Sequence, residues 1–324
     1  MKRIVARSVS LAAAVAAAAA AGAETFPSRP IKVVVPFTAG GNADTVARIL
    51  TQELSRQLGQ GIVIDNRGGA NGIIGSDIVA KAPPDGYTLL FTTGSHAINP
   101  IVSDKLPYDT VKDFAPVALV GVTGSHVLVV PPSSPFKTLQ QLVEAGRKPD
   151  SKLSFGSAGV GNTMHLVGEY FKMLTGTHLL HVPYRGSAPA VNALMAGEVQ
   201  LVFLNPVGAV EQVKQGNLRA LAVSGDGRLA QLPDVPTMAE AGLPQFDLNG
   251  GWQGLFAPGG TPLQVIATLN EKVNQALKTP AVSERLQAIG MQPAGGPPQA
   301  LADYVRQDMK KFSEIAKAAD IRPR

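Results

Sequence analysis

Two glycine-rich stretches carry the strongest chemical signal in the chain, Thr38-Ala39-Gly40-Gly41-Asn42 and Gly156-Ser157-Ala158-Gly159-Val160-Gly161. Each follows a short strand-like run and opens a segment with helical periodicity. A helix N-terminus leaves backbone N–H groups without intrahelical partners and carries partial positive charge, which suits an anion. Glycine lets the main chain itself approach a ligand. Two such termini facing each other would hold a carboxylate without any arginine. The alternative is a pair of ordinary strand-to-helix turns with glycine serving geometry alone. Neither stretch is G-x-G-x-x-G, because Gly159-Val160-Gly161 lacks the third glycine, and no G-x-x-x-x-G-K-[ST] occurs, so nucleotide binding is not indicated.

Around these stretches lie polar side chains. Asp44 falls in the first turn after Gly41, where it either complements the helix terminus or receives a ligand ammonium or hydroxyl. Thr93, Gly94 and Ser95 follow a third strand and bring hydroxyls to the same sheet edge. Ser157, Asn162, Thr163 and His165 do the same in the second half. Asn162 or Thr163 can cap a helix. His165 either packs or touches a ligand, and Tyr184 and Trp252 either wall a cleft or fill a core. Enzyme signatures fail. Phe155 stands two positions before Ser157, so G-x-S-x-G is absent. His165 and His181 lie 16 residues apart without H-E-x-x-H, and the chain has no cysteine. No metal and no cofactor is expected.

The elements that must position these residues repeat. Ile31–Pro36, Ile62–Ile64 and Tyr87–Phe91 read as strands, separated by a helix with Val46, Ile49, Leu50 and Leu54 on one face and by a second helix over Ile73–Ala82. The same order returns about 120 residues later. Leu153–Phe155, Leu179–Val182 and Val199–Phe203 are strands, with helices over Asn162–Leu174 and Ser187–Ala196. Two such units imply two similar α/β lobes. The stretches near Val117–Val130 and Trp252–Ala257 read as crossings between them. The first lobe is therefore expected over residues 24–122 plus 252–324, and the second over 123–251. Amphipathic helices are expected over Pro262–Leu277 and Gln299–Ala318.

Composition bounds the rest. Of 324 residues, 45% are apolar and 16% charged, which supports a sizeable core and argues against disorder. The formal charge is +5, but Lys2, Arg3 and Arg7 lie in the first 23 residues. Without them the chain has 26 basic against 24 acidic residues, a net of +2. No basic stripe marks a nucleic-acid partner. Residues 1–23 combine that basic start with an apolar run over Val9–Ala20 and an Ala21-Gly22-Ala23 end. They read as a secretory signal peptide cut after Ala23, since a spanning helix needs about 20 apolar residues. The mature chain is expected to be exported to the periplasm and not embedded in a membrane.

Taken together, VVPFTAGGNADTVAR (Val34–Arg48), VIDNRGGANGIIGSDIVAKAPPDGYTLL (Val63–Leu90), PYDTVKDFAPVALVG (Pro107–Gly121), SFGSAGVGNTMHL (Ser154–Leu166), HVPYRGSAPAVNALMAGEVQLVF (His181–Phe203) and GGWQGLFAPGGTP (Gly250–Pro262) form a pattern. It resembles the Bug-type extracytoplasmic solute receptors of tripartite tricarboxylate transporters. The resemblance implies an α/β, two-lobed periplasmic binding protein fold of type II character, with a ligand cleft between lobes. It also implies a small organic acid held largely by main-chain groups, delivery to the membrane subunits of a tripartite transporter, and a monomer. The pocket it implies comprises Phe37, Thr38, Ala39, Gly40, Gly41, Asp44, Thr93, Gly94, Ser95, Ser157, Gly159, Gly161, Asn162, Thr163, His165, Tyr184 and Asn205. Where that family usually has proline after the arginine, Gly68 follows Arg67, which should loosen the loop. Competing readings are an exported hydrolase or lyase acting on a small acid, and a ligand sensor for a signalling partner.

Overall fold

The structure is a computed structural model that describes residues 26–246, 248, 250–318 and 321. The expected signal peptide lies outside the described residues.

The chain forms β1 (Ile31–Val35), α1 (Asn42–Leu58), β2 (Ile62–Asn66), α2 (Ile73–Ala80), β3 (Thr88–Thr93), α3 (Ser95–Val102) and β4 (Phe114–Val122). It continues with β5 (Val127–Val130), α4 (Leu139–Gly146), β6 (Ser154–Ser157), α5 (Thr163–Thr175), β7 (Leu180–Pro183), α6 (Ser187–Met195), β8 (Leu201–Leu204), α7 (Pro206–Lys214) and β9 (Arg219–Val223). It closes with β10 (Trp252–Pro258), α8 (Leu263–Leu277), α9 (Pro280–Ala288), β11 (Gln292–Pro293) and α10 (Pro298–Ala318).

Two sheets result, ordered β11-β4-β10-β3-β1-β2 and β7-β6-β8-β5-β9. Each contains three parallel strands, β2-β1-β3 in one and β7-β6-β8 in the other. Parallel strands need crossover helices, which cover both faces. The continuous apolar run of β1 follows from this: Val33 and Val35 join the core on one face, and Val34 joins the core on the other. In the second sheet Leu128, Phe155, Leu201 and Phe203 face one side, and Val127, Val129, Val202 and Leu204 the other.

The two sheets also match in the place of a crossing strand. In the first, β10 lies antiparallel to β3. In the second, β5 lies antiparallel to β8. Each of these strands arrives from the other half of the chain. The β-rich stretch read over Val117–Val130 is in fact two strands, β4 and β5, which belong to different sheets. The residues between them, 123–126, carry the chain across. The C-terminal helix α10 bridges as well: Leu301 and Val305 pack with Trp252 and Phe256 on the first sheet, while Phe312 and Ile315 join the second sheet's core. Helices α3, α4, α7 and α9 have no counterpart in the sequence-based expectation, and two of them matter below.

Candidate functional site

The parallel strands of both sheets end at one cleft, as ligand sites in open α/β sheets do. Each strand leads into a helix there. A cavity between the sheets is lined by Phe37, Asn42, Ala43, Thr93, Gly94, His126, Ala158, Asn162, Thr163, Met164, Ser187, Asn205, Gly251 and Trp252. These residues include the first positions or caps of five helices: α1 at Asn42, α3 at Gly94, α5 at Asn162, α6 at Ser187 and α7 at Asn205. Among the described residues no Lys, Arg, Asp or Glu lines the cavity. Four of the five helices have no side-chain cap bond, the exception being α5. Their leading N–H groups therefore depend on other partners. Each terminus contributes about 0.3–1 kcal/mol toward an anion, and up to ~2 when partly buried.

Hydrogen bonds across the cleft link the two halves. Asn42 Nδ2 donates to Asn205 Oδ1 at 2.5 Å, and the Asn42 backbone N–H reaches Ser187 Oγ at 3.3 Å. Asn162 performs two tasks. Its Oδ1 accepts from the Met164 N–H at 2.8 Å, capping α5, and its Nδ2 donates to Ser95 Oγ at 2.7 Å. Thr38 packs against Gly186, and Gly68 lies against Thr38 and the Arg185 carbonyl. Gly68 thus occupies a close approach between the halves, where a side chain would press on the backbone at 3.3 Å.

Of the residues expected from sequence, Phe37, Thr93, Gly94, Asn162, Thr163 and Asn205 line the cavity. Gly41 stands directly behind, where a Cβ would meet Ser187 Oγ at 3.1 Å. Ser95 contributes through its bond to Asn162. Ala39 and Gly40 are exposed at the cleft mouth. Gly159 faces Asn71 rather than the cavity, and Gly161 faces Val102. Gly161 has φ +74°, and a Cβ there would collide with Val102. Its glycine therefore serves backbone conformation and packing.

Asp44 is buried and fully engaged. It accepts from the Gly40 N–H at 2.9 Å, Arg48 Nε at 2.9 Å and Asn66 Nδ2 at 3.1 Å. Burial pushes its pKa up, but these bonds outweigh that and hold it below the usual carboxylate range. It shapes the first glycine loop from behind. Tyr184 points its hydroxyl toward Glu198 at 3.4 Å and does not line the cavity. Arg185 is exposed, and Arg67 pairs with Asp65 at 2.8 Å.

Ser157 and His165 lie beneath the second glycine loop. Ser157 Oγ meets His181 Nε2 at 2.5 Å, and the His181 ring stacks on His165 with centroids 3.8 Å apart. His165 Nδ1 accepts from the Gly161 N–H at 3.1 Å, which braces the loop. The pair resembles a nucleophile and base only superficially. Ser157 is wholly buried, and its hydroxyl donates to the Gly159 carbonyl at 3.0 Å. Burial and the neighbouring His165 and Lys172 lower the His181 pKa to about 3.

Asn42, Ala43, Ala158 and Met164 lie within the loops that the sequence marks, Phe37–Asp44 and Ser157–His165, whereas His126, Ser187 and Gly251 lie outside every expected pocket loop. Trp252 was open between cleft and core and serves as wall. The signal for His126 and Trp252 is topological. The strand residue after each pairs with the end of a parallel strand, Val127 with Leu204 and Gln253 with Thr93. Each crossing strand thus delivers one ring to the cleft at an equivalent point.

Two lobes joined by crossing strands, with helix N-termini converging between them, form an architecture similar to that of periplasmic binding proteins. Residues 46–321 match the profile described as the tripartite tricarboxylate transporter family receptor, and the chain belongs to that family. It is 42% identical, over 97% of its length and 93% of the relative's, to the UPF0065 protein in the tcbD-tcbE intergenic region of Pseudomonas sp. strain P51. Among solved structures it is similar to the periplasmic binding protein BugD, at 34% identity and TM-score 0.88 over 92% of this chain and 100% of that one. It is similar to Rpa4515 of R. palustris with adipate, at 37% identity and TM-score 0.88, with 92% and 100% covered. It is also similar to MatC of Rhodopseudomonas palustris with bound malate, at 35% identity and TM-score 0.85, with 90% and 99% covered. The family is one of receptors, not enzymes. Among the described residues no helix is long and apolar enough to cross a membrane.

Proposed function

We propose that this receptor captures a small carboxylate, a dicarboxylate such as malate or adipate being the first candidate, in the cavity between its sheets. The observation that carries this reading is the convergence of five helix N-termini on a cavity that no Lys, Arg, Asp or Glu lines among the described residues. Main-chain donors would take the anionic group, while Phe37, Met164 and Trp252 cover the apolar part. The ligand-bound relatives support the same class. The chain is exported through cleavage after Ala23, acts in the periplasm as a monomer, and passes its ligand to the membrane subunits of a tripartite transporter. The lobes are residues 24–122 with 252–324, and 123–251.

A calorimetric panel of malate, adipate, citrate, amino acids and uncharged alcohols tests this. Carboxylate binding with no turnover of the bound compound is expected. Binding confined to uncharged compounds, or conversion of the acid to product, overturns the reading.

A further inference from the structure

The single tryptophan of the chain, Trp252, stands in the cavity wall. Its indole Nε1–H donates to Asp308 Oδ2 at 2.7 Å. Asp308 belongs to α10 and lies between the half of that helix packed on the first sheet and the half packed in the second sheet's core. Its carboxylate also sits under a second cavity residue, since a Cβ built on Gly94 would lie 3.1 Å from Asp308 Oδ2. On its other side Asp308 borders a groove along the crossing segments, with Thr123, Ser125 and Gly251. One carboxyl group thus contacts the cavity wall, the α3 terminus and the helix that spans both halves.

We propose that Asp308 is a positioning residue for the binding cavity: it fixes the plane of the Trp252 indole as the wall against which ligand packs, and its ionisation state sets how firmly that wall is held. The geometry requires an acceptor at this place, because a buried indole N–H without one loses a hydrogen bond. An ionised acceptor holds the donor more strongly than a neutral one. Burial raises the Asp308 pKa to about 6, with the Trp252 bond and Lys311 acting in the opposite direction. The strong form of the contact therefore gives way to the weak form between neutral and mildly acidic pH.

The ionisable neighbours are few. On its own helix Lys311 and Tyr304 border the same groove, and Asp226 and Arg228 line it from the segment after β9. Arg228 is already paired with Glu240 at 2.9 Å. From α3 comes His96, which burial lowers to about 4. From α5 come His165, Glu169 and Lys172, and His126 shares the cavity with Trp252. Strands β4 and β10 contribute no ionisable side chain.

Because the indole is unique, one signal reports on it. In wild-type protein without ligand, the Trp252 indole N–H resonance should move downfield through a one-proton transition centred near pH 6. Tryptophan emission should follow the same curve. Asp308→Asn keeps a neutral acceptor and loses the titration; at pH 8 its indole signal should match that of wild type at low pH, and it should bind malate more weakly than wild type and more tightly than Asp308→Ala. Asp308→Ala loses the acceptor; it should shift the emission maximum and weaken malate at least fivefold. A wild-type indole signal that is flat between pH 4.5 and 8 overturns the proposal. So does a transition that survives in Asp308→Asn, or an Asp308→Ala variant with unchanged emission and affinity. The wild-type titration needs no variant to fold. The affinity arm rests on the carboxylate reading, and the titration does not. If wild type fails to bind malate while the titration appears, the ligand assignment fails and the positioning role stands.

Discussion

At the scale of single residues, the site separates side chains that face the cavity from those that hold its loops. Gly41 belongs to the first group by proximity. A Cβ there would meet Ser187 Oγ at 3.1 Å and the Thr38 carbonyl at 3.2 Å, without a left-handed backbone to strain. Gly41→Val should leave the thermal melt close to wild type and abolish measurable malate binding. Arg185→Ala should bind within about twofold, because Arg185 is exposed and outside the lining. Calorimetry on both variants decides between a main-chain site and an arginine clamp; strong loss in Arg185→Ala alone would favour the clamp. Buried imidazoles set the acid response. His96 and His181 have pKa values lowered from 6.5 to about 4 and about 3, both chiefly by burial. The unfolded chain therefore binds more protons than the native one below pH 6.5. Their contribution is present above pH 6.5 and lost as pH falls toward the folded values. Asp308 acts in the opposite sense, since its folded pKa of about 6 exceeds 3.8 and the native state gains stability as pH falls through that window. The imidazoles are two and more strongly shifted, so they prevail. Urea midpoints should fall from pH 8 to pH 5 by the equivalent of about 1–2 kcal/mol per imidazole. His181→Asn should flatten that slope, and an equal slope in the variant would refute the assignment.

At the scale of elements, the site is an arrangement of helix starts. α3 and α7 have weak sequence signals, and α3 even contains Pro100. Yet both begin where parallel strands end, so the sheet places their N–H groups at the cleft. α5 is the best-defined terminus because Asn162 both caps it and reaches Ser95 across the cleft. Asn162→Ala should lose the cap, about 1 kcal/mol, and a buried hydrogen bond of similar size. Asn162→Asp should keep the cap and place a negative charge among the anion-binding N–H groups. Thermal melts should show Asn162→Ala clearly destabilised and Asn162→Asp less so, while malate calorimetry shows Asn162→Asp the weaker binder. The reverse ranking would place the anion elsewhere.

At the scale of the molecule, two sheets with matching strand order exchange their crossing strands. Thr123, which bonds the Gly251 carbonyl from its backbone N–H at 2.8 Å, ties the two crossings together beside the cavity. Such paired crossings suit hinge closure. Small-angle scattering of the mature protein should therefore show compaction when malate is added to a ligand-free, open population. An unchanged profile at calorimetrically verified saturation would exclude a hinge of that kind.

The sequence by itself determined the repeated β-α-β-α-β order, since continuous β-branched runs such as Val33–Val35 can be satisfied only between two layers of helix. It also determined where the main chain could approach an anion, because glycine beside a helix start is a local signal. It could not separate the roles of those glycines: Gly41 borders the cavity and Gly161 packs on Val102, a contact between residues far apart in the chain. Nor could it place His126, Ser187 and Trp252 in one cavity. Those positions follow from which strand lies beside which, and strand neighbours are fixed by packing of the whole chain. Asp44 shows the same limit, for its three partners come from a loop, its own helix and the end of β2. The helix start supplied the positive field, and the tertiary structure decided that a buried carboxylate should shape that start rather than meet the ligand.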